Sequence, residues 1–117
     1  MHGKTMKRAP KPPKHLKAGG VAWWKAAHAE FSFSDSELSI VRMICEAIDR
    51  GDDARATLDR DGLTVDGREG GMRPHPCVAI ERDARTTFAR LLARLNLPKE
   101  TPKRGPGRPP RGFGWQG

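Results

Sequence analysis

Five apolar residues, Ile80, Ala84, Phe88, Leu91 and Leu95, step by four, four, three and four positions, with Leu92 beside them. That spacing lines one face of a helix and fits no strand, whose faces alternate every second residue. A chain carrying such a stripe must cover it with other helices. Those helices can belong to the same subunit or to a neighbour, and the pattern satisfies both arrangements. The helix is predicted to open at Pro76, a favoured first position, with His75 as an imperfect cap, and to close at Leu97-Pro98.

The upstream chain carries the same period. Val21, Trp24, Ala27, His28 and Phe31 recur at three- and four-residue spacing, so a short helix is predicted from Val21 to about Ser32-Phe33-Ser34. Ser34 and Glu37 then form a capping box ahead of Leu38, Val41, Ile44, Cys45 and Ile48. This helix is expected to stop near Arg50 at Gly51, with Asp52 or Asp53 capping a weaker third helix through Ala54 and Leu58 to Gly62. Leu63-Thr64-Val65 suits a short strand and Asp66-Gly67 a tight turn, while Gly70, Gly71 and Pro74 mark a loop or irregular hairpin. The predicted fold is mainly α, a small domain of three to four helices with a short β-hairpin or irregular loop before the last helix.

Charge divides the chain into three. Residues 1–20 carry +6, residues 21–98 carry −2 and residues 99–117 carry +4, which together make the net +8. The organisation expected is a basic N-terminal arm over 1–20, a helical core and oligomerisation domain over 21–98, and a basic Pro/Gly-rich tail over 99–117. Pro10, Pro12 and Pro13 exclude a helix in the arm, and Gly19-Gly20 reads as a flexible joint. A core of this size is only marginally stable alone, so self-association is the simplest way to complete its burial. Two isolated cysteines, Cys45 and Cys77, suit a reducing cytosol, and no apolar run is long enough to span a membrane.

The residues offer no catalyst. His2, His15, His28 and His75 stand at no metal-ligand spacing from one another or from the cysteines, so neither a metal site nor a cofactor is expected. The acids at Asp52, Asp53, Asp59 and Asp61 have no accompanying base and read as a solvated face, with Arg55 and Asp59 an i,i+4 ion pair. Gly105-Pro106-Gly107 lacks the Lys-Ser/Thr pair and the helix that a phosphate-cradling loop requires. The sequence describes a binder, not an enzyme.

Its candidate ligand is nucleic acid, carried by the arms. Lys4, Lys7, Arg8, Lys11, Lys14 and Lys17 suit phosphate contacts, each steepening the salt dependence of binding. In the tail, Lys103, Arg104, Gly107, Arg108, Pro109 and Arg111 are similar to an AT-hook, a short minor-groove binder. Gly107-Arg108-Pro109 matches the hook core, and Pro106 stands where the hook has its first Arg. Narrow A·T grooves attract inserted Arg side chains, and Gly107 lets the backbone approach the groove floor. The same composition also suits a merely solvated tail. Phe113 and Trp115 have no local partner residues to fix a role.

Taken together, the body resembles the P27 family of phage terminase small subunits. The likeness runs over residues 10–102. It rests on Pro12-Pro13-Lys14-His15-Leu16 ahead of Trp24, then on Asp35, Leu38, Ile44, Cys45, Ala47 and Leu58 leading to Gly62-Leu63. The third stretch is Gly71-Met72-Arg73-Pro74-His75-Pro76, Arg82-Asp83-Ala84 and Leu91-Leu92-Ala93-Arg94-Leu95-Asn96-Leu97-Pro98. The resemblance implies a homo-oligomeric ring that binds double-stranded viral DNA in the cytoplasm of the bacterial host and delivers it to the large terminase subunit, the ATPase and nuclease. Subunit contacts are then expected at Trp24, Phe88, Leu91, Leu92 and Leu95. Phe31-Ser32-Phe33 departs from the family's usual turn, and the hook-like tail is an addition. The rival reading is a small AT-hook regulator or nucleoid-associated protein built on the same arms.

Overall fold

The computed structural model describes residues 9–67 and 70–98. Three helices, α1 (Ala18–Glu30), α2 (Asp35–Asp61) and α3 (Pro76–Leu95), are joined between α2 and α3 by strands β1 (Thr64–Asp66) and β2 (Met72–Pro74). The strands pair antiparallel with Thr64 opposite Pro74 and Asp66 opposite Met72. The strand lies one residue later than Leu63-Thr64-Val65.

Local signals set the helix ends. Ser34 Oγ accepts from the Glu37 amide at 3.2 Å, and the Glu37 carboxylate accepts from the Ser34 amide at 2.8 Å, closing the capping box at the start of α2. At α3, His75 Nδ1 accepts from the Cys77 amide at 3.0 Å, so Nε2 carries the proton and donates to Asp61 at 3.2 Å. This tie holds the start of α3 to the end of α2. Asn96 ends α3 in the left-handed conformation, and Gly62, at φ 90°, ends α2.

Two expectations need correction. Gly51 does not stop α2, which runs unbroken from Asp35 to Asp61, and Asp52 and Asp53 cap nothing. Gly51 is buried under the Arg85 guanidinium of α3, Asp53 pairs with Lys17, and Asp52 faces Arg85. A glycine in a helix interior costs about 1 kcal/mol against alanine, which packing against a second helix readily offsets. Nor is Gly19-Gly20 a joint. Both residues lie inside α1, which begins three residues earlier than Val21, and Gly20 is buried against α2.

The three helices run antiparallel in sequence and share one core. Leu16, Trp24, Val41, Ile44, Cys45 and Leu95 form its buried centre, with Phe33, Phe88, Leu91 and Leu92 packed against it. Trp23 meets Phe88 edge-to-face at 6.4 Å, fixing α1 against α3. His28 donates through Nδ1 to the Trp24 carbonyl at 2.9 Å and stacks beside Trp24.

Candidate nucleic-acid interface

Of the residues the sequence assigns to DNA, Lys4, Lys7, Arg8, Lys103, Arg104, Gly107, Arg108, Pro109 and Arg111 lie outside the described residues. Lys11 and Lys14 are exposed on the stretch leading into α1. Lys17 is exposed too, but its ammonium sits 2.7 Å from Asp53. That bond, reinforced by the charges of Asp53 and Asp49 against a small desolvation cost, raises the Lys17 pKa.

The stretch before α1 is a strap laid on the body. The Trp24 indole donates to the Pro10 carbonyl at 2.9 Å, and Leu16 is buried in the core. Three carboxylates one or two turns apart on α2 hold its end. Glu46 accepts from His15 at 2.7 Å, and Asp53 meets Lys17. Buried Asp49 accepts from the backbone amides of Lys17 and Gly20, each at 2.7 Å. Lys17, at the N-cap of α1, offers no side-chain cap of its own, so a carboxylate from α2 supplies it. Burial pushes Glu46 up, but hydrogen bonds from His15 and Arg42 outweigh it and hold the carboxyl below its ordinary value. Sequence spacing gave one signal for Asp49: it follows Cys45 by four on the apolar face of α2.

The residues expected at subunit contacts divide in two. Trp24 and Leu95 are each 5% exposed, inside the subunit's own core. Phe88, Leu91 and Leu92 are half-buried. Phe88 and Leu92 also line an open apolar groove of about 590 Å³ with Phe31, Ala89, Ala93 and Leu97. The structure thus brings the five together on one core, with part of the α3 set reaching the surface.

Both described ends of the chain converge on that core. Pro10 is tied to Trp24, and Trp24 and Leu95 are members of one cluster, with Leu97 packed against it. Among the described residues, no group of three His, Cys, Asp or Glu side chains is placed to hold a metal ion, and no helix is long and apolar enough to cross a membrane. Burial, with the charges of Asp49 and Glu46, pushes the Cys45 thiol up to about 12, so it stays protonated.

The described residues form a small three-helix scaffold with a paired acidic seam. Its particular family follows from its sequence: the chain belongs to the phage terminase small subunit family, whose model matches residues 23–104. No curated protein and no solved structure matches it.

Proposed function

We propose that this chain marks viral DNA for packaging: it binds double-stranded phage DNA and presents it to the large terminase subunit, which carries the ATPase and nuclease. Family membership over most of the chain carries this reading. It also favours packaging over an AT-hook regulator, which would have no use for such a body. The chain itself performs no catalysis in this scheme. The work is done in the cytoplasm of the bacterial host by a homo-oligomeric ring of the P27 type.

Recognition rests on the basic arms. Six cations precede α1, and the hook-like tail follows α3. Arms repeated around an oligomer reach one duplex together, so individually weak contacts gain through effective concentration. The anchoring of both Pro10 and Leu97 to one core supports this, because both arms then leave the same helical body.

The test is an equilibrium titration of A·T-rich and G·C-rich duplexes at several salt concentrations, with the intact chain and a version ending at Pro102. Truncation is expected to remove the A·T preference and part of the salt slope. Equal binding of both duplexes by the shortened chain overturns the hook.

A further inference from the structure

Internal pairing sorts the described charges into two groups. Between Glu46 and Asp83, every described acid except Asp66 meets a cation or a backbone amide of the same chain. The acids along the α2–α3 seam are therefore paired within the chain. Paired charges project little field beyond a Debye length of about 10 Å at 0.1 M salt, so the seam is a weak barrier to DNA.

The C-terminal half of α3 differs. Residues 84–98 hold three arginines and no acid. Arg85 sits 3.5 Å from Asp52 and 3.6 Å from Glu81, whereas Arg90 and Arg94 meet no carboxylate among the described residues. Both are exposed, and they stand one helical turn apart on α3, off the face that carries buried Ala84 and Leu95. Like charges at i,i+4 destabilise a helix by about 0.2–0.5 kcal/mol. Arg94 complements the helix dipole in the last turn, but Arg90 has no such use. The exposed neighbours of Arg90 one turn earlier, Thr86 and Thr87, are short and uncharged.

We propose that Arg90 and Arg94 form a phosphate-contacting site for duplex DNA on the body of the subunit. The site rests on the DNA-marking reading and extends it from the arms to α3. Four residues of helix rise about 6 Å, a span from which two long Arg side chains can reach two phosphates. Pro98 follows Arg94 by four residues, so the body site and the basic tail are contiguous in the chain. A guanidinium donates in a planar fork that suits phosphate oxygens.

The experiment uses the full chain and the double variant Arg90→Gln/Arg94→Gln. Its control is Arg60→Gln/Arg82→Gln, which removes the same charge from two arginines bridged to neighbouring aspartates. Circular dichroism and sedimentation first establish equal helix content and equal mass. Titration of one duplex over a range of salt is expected to show the slope of log K against log [salt] shallower by about 1.8 for the double variant, two phosphates at about 0.9 each. The control should move far less, and Arg90→Lys/Arg94→Lys should keep most of the slope. Arg94→Gln alone, expected to lose half as much, gives a second measurement should the double variant fold poorly. A double variant with the control's slope overturns the site alone. An intact chain that binds no duplex overturns the DNA-marking reading and the site with it.

Discussion

Two glycines inside helices have opposite roles, and the difference is set by what surrounds each hydrogen that a methyl group would replace. A Cβ at Gly20 would stand 2.6 Å from Asp49 Oδ2 and 2.9 Å from the Cys45 carbonyl, a backbone atom that cannot step aside. Gly20→Ala is therefore expected to lower stability by about 1–3 kcal/mol despite the better helix propensity of alanine. At Gly51 the obstruction is the end of the Arg85 side chain, which is 47% exposed and free to swing. Gly51→Ala should be neutral or gain up to about 1 kcal/mol. Urea unfolding of both variants reads the two signs, and a stabilised Gly20→Ala would refute the packed junction. Asp49 belongs to the same contact. Its replacement by alanine leaves two amides at the start of α1 without their acceptor, and a loss of about 2–3 kcal/mol is expected from the same measurement. Only the place of Asp49 on the apolar face of α2 was legible in the sequence; its contact with Gly20 spans 29 residues and was not. Paired glycines carry the same letters whether they flex or pack.

At the scale of elements, what could be read was local and what could not was tertiary. The capping box at Ser34 and Glu37, the start of α3 at Pro76 and its end near Leu95 depend on residues a few positions apart, so spacing alone located them. The continuity of α2 depends on α3. Arg55 donates to Glu81 at 2.7 Å and Arg85 lies over Gly51, and neither contact leaves a trace in local sequence. The Arg55 hydrogen bond, partly opposed by desolvation and aided by the charges of Arg55 and Arg85, holds the Glu81 carboxyl below its ordinary value of 4.5. A carboxyl lowered by folding adds stability above its unfolded pKa and loses it as pH falls through the folded one. Glu81→Gln is therefore expected to be less stable than the parent at neutral pH. The two curves should converge as the pH falls below about 4, where the parent's carboxyl is protonated as well. Thermal melts across pH 3–7 check this, and a gap that persists at pH 3 would exclude the ion pair as its source.

For the whole molecule, the periodicity of the sequence marked a mainly helical body, and the stretch before α1 reads from sequence as basic arm. Leu16 and the proline pair look like arm residues because nothing local marks them as core. The structure buries Leu16 and straps Pro10 to Trp24. The same limit applies to self-association. An apolar stripe on α3 states that something covers it, and Trp24 and Leu95 turn out to be covered from within. Phe88 and Leu92 are only half covered, and with Phe31, Ala89, Ala93 and Leu97 they leave an apolar groove open to solvent. If that groove is the contact between subunits of the proposed ring, a charge placed on its rim should block assembly without harming the fold. Ala89 is the place to test it, since it is exposed and contributes nothing to the buried centre. The intact chain is expected to sediment as a multiple of 12.9 kDa, and Ala89→Asp as a single subunit with unchanged helix content. Burying an unpaired carboxylate in an apolar contact costs several kcal/mol per subunit, enough to dissolve an interface of ordinary size. An Ala89→Asp variant that still sediments with the parent moves the subunit contact off this groove and onto another face of the helices.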